Sequence, residues 1–461
     1  MAVRTQKVRT REPNRSQGWL FLQRPDELVG AEHPVRLVVA GLGRLDLSRF
    51  LEKAKAVEGH PGRPVTSPRL LLALWVYGIQ QGVGTATELA RRCREDAAFQ
   101  WLCGGVEVSH DVLSQFRVEH LEVLQEVFTQ LLSVLLHQQL VSLELVAQDG
   151  TRVRASASAP SFRREPSLQA CREQAALHLK AVLAQQDDPE LSQRQQAARE
   201  AQARSYQQRV EAAFAALEQQ RAKKKTPLEK RRVRASTTDA DARVMKMADG
   251  GFRPAYNLQF VVAGRPEGGP RTIVAVAVTN QGTDAGSVGP LMQQLEQRTG
   301  QLPAHLAADA NHATLEDVKG CAHKGIDPLI SVPERMQKAQ QQGDHSPEIE
   351  AWRQRMETQE AQQLYKARAS LVENVNAHVK ERYDVDRVWV RGLDKVMCVA
   401  LLVALAHNLS AHAVALAAPV PAETPLEPHL ASAPEPHSAQ AAQAPGSEPA
   451  GLAGAVWPSA P

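Results

Sequence analysis

The sequence predicts an α/β fold with a mixed sheet, split by a long helical insertion and preceded by an all-α N-terminal region. Three observations predict it. Apolar residues recur at helical spacing from about residue 30 to 140. From 143 the pattern changes to short aliphatic runs separated by helical segments. Between the first of those runs and the others lies a stretch, 165 to 222, dominated by Ala, Gln, Glu and Arg, which reads as helix. Aromatic residues make up only 4% of the chain, a composition that favours helices and aliphatic cores over β-sandwiches.

Within the first region, VTSPRLLLALWVYGIQQG predicts a helix with Thr66 or Ser67 as N-cap, Pro68 near its first turn and a stop at Gly82. TATELARRCREDAAFQWL restarts after a GVG turn, so the pair resembles a helix-turn-helix, with an ordinary helical hairpin as the alternative. SHDVLSQFRVEHLEVLQEVFTQLLSVLLHQQL reads as one long helix capped by Ser109. LELVAQDGTRVRAS then reads as a strand that carries Asp149 at its C-terminal end and turns at Gly150.

The insertion, about 165 to 234, is interrupted at QQDDPELS, where Asp188 and Pro189 break the helix. A long helical hairpin is expected; antiparallel coiled-coil packing is one way to pair its arms, although the apolar heptads are poor. Its end, RAKKKTPLEKRRVR, holds eight Lys or Arg against one acid; Lys223, Lys224, Lys225, Arg231 and Arg232 are candidate phosphate contacts, and a solvated linker is the alternative.

PAYNLQFVVAG (254–264) and RTIVAVAVTNQG (271–282) follow as a hairpin, and DAGSVGPLMQQLEQRTG as a helix. QLPAHLAADA is a strand with Asp309 at its C-terminal end, TLEDVKGCAHKG a helix, DPLISVP a last strand, and LYKARASLVENVNAHVK (364–380) a closing helix with Glu373 in its middle. The expected organisation is a basic flexible arm (1–24), a helical DNA-contacting domain (25–140), an α/β domain (141–412) and a disordered Ala/Pro-rich tail (413–461).

The net charge of +3 hides an asymmetry: all 54 Lys and Arg lie within residues 1 to 395 with 47 of the 51 acids, a local excess of +7 that suits a polyanionic partner. Five cysteines without metal-ligand spacing argue against structural zinc or a disulfide framework and for a reduced, cytosolic protein. The N-terminus lacks the apolar core of a secretory signal, and the longest apolar run, Val396 to Ala406, is short of the roughly 20 residues of a bilayer span, so no membrane partner is expected.

In open α/β sheets sites form at the carboxyl ends of strands, although an acid just after a strand is also a common turn-former. Asp149, Asp309 and Glu373 can converge there, and hard oxygen ligands in that number suit Mg²⁺ or Mn²⁺, two ions of which can drive phosphodiester chemistry.

In order, the segments VAQDGTRVRASAS, DADARVMKMADGGFRPAYNLQF, LAADANHATLEDV, YKARASLVENVNAHVK, VRGLDKV and LLVALAHNL resemble the blocks of bacterial insertion-sequence transposases of the DDE class. The helical region before them is similar to the N-terminal domain of such transposases. The resemblance covers about 18 to 412 and implies a ribonuclease-H-like catalytic fold with Asp149, Asp309 and Glu373 as its metal-binding triad. Tyr365, Arg368, Glu373 and Lys380 match the subgroup pattern Tyr-x2-Arg-x4-Glu-x6-Lys, which implies that Tyr365, Arg368 and Lys380 hold the transposon end.

It further implies cleavage at terminal inverted repeats, strand transfer into target DNA, two Mg²⁺ or Mn²⁺ ions, a homodimer on DNA and a place at the bacterial nucleoid. The alternatives are a metal-dependent nuclease of the same fold without strand transfer, and an inactive DNA-binding remnant. At about 100° per residue, a regular helix puts Lys380 about 20° from Glu373 and Arg368 about 140° away, so Arg368 is expected to pack or to meet a second DNA segment. The chain departs from its relatives at Asn311 and His312, where they carry Gly and an aromatic, and at Asn374, where they often carry Pro.

Overall fold

The computed structural model describes residues 24–52, 64–185, 191–310, 314–332 and 346–418. The arm before Arg24, the tail after Ala418, the expected helix breakers Asp188 and Pro189, and Asn311 and His312 lie outside them.

The N-terminal region is helical, as expected: α1 (Pro34–Leu42), α2 (Pro68–Gln80), α3 (Ala86–Glu95), α4 (Ala97–Cys103), α5 (His110–Glu119) and α6 (Leu121–His137). Pro68 opens α2 after Ser67, and Leu71 through Ile79 are all buried, which makes α2 a central helix rather than an amphipathic one. Two expected helices are each split. The Asp96 carboxylate accepts the Ala98 N–H at 2.9 Å and so starts α4 where continuous helix was anticipated. Ser109 caps α5 as expected, accepting the Val112 N–H at 3.4 Å. That helix nevertheless ends at His120, whose ring packs against Phe50 and Phe116 with centroids 5.1 and 5.3 Å away.

The sheet is mixed. It contains β1 (Leu145–Arg154), β4 (Arg243–Lys246), β5 (Phe252–Ala263), β6 (Thr272–Thr279), β7 (His305–Ala308) and β8 (Asp327–Ile330). Its order is β4-β5-β1-β7-β8, with β6 also on β5. Antiparallel pairing joins β1, β4 and β6 to β5, whereas β1, β7 and β8 run parallel. This is the mixed α/β layout expected of a ribonuclease-H-like domain.

One expectation needs correction here: β1 does not turn at Asp149–Gly150. Residues Gly150 to Arg154 keep antiparallel partners in β5, from Gly150 opposite Gln259 to Arg154 opposite Ala255. Only the parallel ladder to β7 stops, at Gln148 opposite Ala308.

Between β1 and β4, a two-stranded ribbon of β2 (Phe162–Arg163) and β3 (Ala235–Ser236) closes the base of the insertion. The hairpin itself is α7 (Glu165–Ala184) and α8 (Gln193–Ala222), followed by the short α9 (Pro227–Arg232). Buried Leu168 and Ala175 on α7, and Ala203, Val210 and Leu217 on α8, recur every seven residues, the spacing of a coiled-coil seam. They form a small core of their own.

Helices α10 (Val288–Thr299), α11 (Leu315–His323), α12 (Pro347–Glu357) and α13 (Gln359–Arg368) follow. A π-helical turn, Ala369–Glu373, links α13 to α14 (Asn374–Glu381). Then α15 (Leu393–Ala411) runs through the centre. By length and composition α15 could cross a membrane, but 67% of its apolar window is buried inside the fold, against β6, α2, α5 and α6. Asn408 fixes it to β6: its amide nitrogen donates to the Ile273 carbonyl and its amide oxygen accepts the Ile273 N–H, both at 2.8 Å.

Through α15 the N-terminal helices and the sheet share one hydrophobic core, so the boundary expected at 140/141 separates two kinds of secondary structure rather than two packed bodies. The fold also extends past 412. Residues Ala413–Ala417 form α16, in which Leu416 is buried and its carbonyl accepts from Arg44 Nε at 2.6 Å.

Candidate active site

Leu145 to Ala147 on β1 and Leu306 to Ala308 on β7 are aliphatic and buried, up to the last parallel pair, Gln148 and Ala308. The next residue on each strand is an aspartate, so register alone sets Asp149 and Asp309 side by side at the carboxyl edge of the sheet. Both are half-buried. Asp149 Oδ1 accepts the Gly150 N–H at 2.8 Å and Asp309 Oδ1 accepts the Ala310 N–H at 2.7 Å. Asp149 Oδ2 accepts from the Asn376 amide at 3.0 Å, which ties α14 to β1.

The two aspartates line a cavity of about 500 Å³ together with Asp284, Arg152 and Lys380. The Lys380 ammonium is held below its ordinary pKa, chiefly by burial; the Asp149 charge opposes that shift and Arg152 reinforces it. Asp284 lies in the loop after β6. Its Oδ1 accepts from Asn257 Nδ2 and Gln259 Nε2, and its side chain is only 14% exposed. Gly150 lets this carboxylate approach β1: a Cβ there would lie 2.8 Å from Asn257 Oδ1 and closer still to Gln259 and Asp284.

Glu373 stands apart from this cavity. It closes the π turn with 54% of its side chain exposed, and Arg368 Nη2 donates to it at 3.2 Å. The expectation that Arg368 points about 140° away assumed regular α geometry. A π turn bonds residue i to i+5, so residues five apart, such as 368 and 373, come level. The Arg368 guanidinium also lies 5.9 Å from the centre of the Tyr365 ring, and the Tyr365 hydroxyl donates to Ser331 at 3.3 Å. Tyr365, Arg368 and Glu373 thus form one connected row beside β8, while Lys380 faces the aspartates.

Among the described residues no three His, Cys, Asp or Glu side chains gather as a metal-holding group. The donors beside the cavity are hard oxygens: the Asp149 and Asp309 carboxylates, and next to them the Asn376 amide oxygen, a buried acceptor with no hydrogen-bond partner. That chemistry fits Mg²⁺ or Mn²⁺ and not a thiolate-preferring ion.

The basic residues Lys223, Lys224, Lys225, Arg231 and Arg232 are all exposed around the end of α8 and on α9. In the helix-turn-helix-like pair, by contrast, two of the three arginines on α3 are paired with acids. Arg91 Nε and Arg92 Nε both donate to Glu88, at 2.8 and 3.0 Å. Sequence reasoning passed over Arg152, Asp284 and Asn376. The one available signal was spacing, since Asn376 follows Glu373 by three residues and so lies one helical turn on.

Two family models match. Residues 23–119 match the Transposase domain (DUF772), and residues 232–409 match the Transposase DDE domain. The second match takes in Asp309, Glu373, Asn376 and Lys380 and begins after Asp149. No curated protein and no solved structure matches the chain.

Proposed function

The chain belongs to the insertion-sequence DDE transposases, and from that membership we propose that it cuts DNA at the terminal inverted repeats of its own element and joins the freed 3′ end to target DNA. The observation that carries the proposal is that Asp149 and Asp309 each lie one residue past the last parallel pair and line one cavity with Lys380. Asp149, Asp309 and Glu373 are the proposed metal ligands and catalytic carboxylates, for two Mg²⁺ or Mn²⁺ ions. Bound there, the ions supply Lewis acidity at phosphoryl oxygens and a nucleophile at neutral pH.

The protein's own groups do the positioning. Backbone N–H groups fix one oxygen of each aspartate, and Asn376 orients Asp149. Lys380 brings positive charge to the phosphate, while Tyr365 and Arg368 hold the transposon end as the subgroup pattern implies. The exposed cations Lys223 to Lys225, Arg231 and Arg232 add salt-dependent affinity for the backbone. Holding two ends together calls for a homodimer, working on DNA in the bacterial cytoplasm.

One observation favours a rival, an inactive DNA-binding remnant: Glu373 pairs with Arg368 instead of lining the cavity. Labelled end DNA incubated with Mg²⁺ and a target plasmid decides. Wild type is expected to give cleaved and joined products and Asp309→Asn neither. Cleavage without joining would leave a nuclease, and full activity in Asp149→Asn would remove the catalytic role proposed for this cavity.

A further inference from the structure

We propose that Arg152 is a phosphate-binding residue of this cavity, and that Asp284 moderates its grip on DNA. The inference rests on the cavity being the DNA-cleaving site. Arg152 leaves β1 three residues after Asp149, on the stretch that has lost its parallel neighbour, and it lines the cavity with Asp149, Asp309 and Lys380. Its guanidinium is fixed: Nη1 donates to the Lys246 carbonyl and Nη2 to the Gly282 carbonyl, each at 3.0 Å.

Those bonds use one N–H on each terminal nitrogen, and each carries a second. The carbonyls are neutral, so they orient the fork without cancelling its charge. The nearest carboxylate oxygen of Asp284 is 3.9 Å away, close enough to attract but too far for a hydrogen bond. Asp284 is itself held by Asn257 and Gln259 on its other oxygen. Arg152 also lies near enough to Lys380 to disfavour the ammonium. Arg152 and Lys380 are the two cations that line the cavity beside its aspartates, and a planar, preoriented guanidinium with free N–H groups matches two phosphate oxygens.

The competing account makes Arg152 a structural clip between the β4–β5 hairpin and the loop before α10. Binding of the end duplex by the full-length chain, measured by fluorescence anisotropy across a salt series in EDTA, separates the two. A phosphate contact predicts that Arg152→Gln makes the slope of log K against log salt shallower, less negative by about 0.9. Asp284→Asn, which removes the competing charge, should tighten binding roughly two- to fivefold.

A clip predicts that both variants melt earlier and bind more weakly with an unchanged slope, and that result overturns the proposal. If Arg152→Gln fails to fold, Arg152→Lys takes its place. The charge contact then predicts a retained slope with reduced affinity, and Asp284→Asn must still tighten binding. The cleavage assay keeps the two readings apart. Wild-type cleavage with an unchanged Arg152→Gln slope sinks this inference alone, while a shallower slope without any wild-type cleavage leaves the phosphate subsite and removes the catalytic reading.

Discussion

Alanine at Gly150 tests how closely the acids of the cavity are packed. Its Cβ would meet Asn257, Gln259 and Asp284, and the first two are fully buried side chains with no solvent to swing into. Room can be made only by displacing all three, which breaks the two amide-to-carboxylate hydrogen bonds of Asp284. Overpacking costs about 1 to 3 kcal/mol and the loss of charge-assisted bonds adds to it, so a destabilisation of about 3 to 5 kcal/mol is expected. At about 1.2 °C per kcal/mol for a unit of this size, the melting temperature falls by about 4 to 6 °C. Gly282 borders the same cavity with nothing within 4 Å of its would-be Cβ. Gly282→Ala is therefore the matched control, expected within about 1 kcal/mol of wild type. Differential scanning fluorimetry of both reads the contrast. Wild-type melting in Gly150→Ala, or an equal drop in the two variants, would refute the close-approach argument.

The other predictions draw on different parts of the fold. Asn408→Ala strands the Ile273 N–H and carbonyl in the core and should cost about 2 to 4 kcal/mol, read by urea denaturation. His407 is buried, accepts no second partner at Nδ1 and has its pKa pushed down to about 4, chiefly by burial. Because the folded value lies below the unfolded one, its contribution is intact above about pH 6.5 and is lost as pH falls towards 4. His407→Gln should flatten that part of the melting profile, and an unchanged slope would remove His407 as its source. Mn²⁺ should raise the melting temperature of wild type by ligand linkage and leave Asp309→Asn unmoved; an equal shift in both proteins would place the ion elsewhere.

Strands β1 and β5 to β8 were legible because each carries its own aliphatic run, and Asp149 and Asp309 could be named because each interrupts such a run. Helix breaks were harder to read. Asp96 and His120 sit inside continuous helical periodicity, and only their caps and ring contacts show that the chain bends there. The edge strand β4 is four residues long with one buried side chain, too little pattern to separate it from a loop. Asp284 and Arg152 were invisible for another reason: each gains meaning from partners distant in sequence, Asn257 and Gln259 for one, Lys246 and Gly282 for the other.

The π turn gives the closing helix a logic that regular geometry denies it. Three proposed metal-binding carboxylates drawn together without cations repel one another, and an exposed one gains from any neighbouring positive charge. By bringing residues 368 and 373 level, the turn hands Glu373 a guanidinium from its own helix, while Lys380 stands near Asp149. The same Arg368 is a proposed ligand of DNA, so a phosphate that engages it competes directly with Glu373 for its donors.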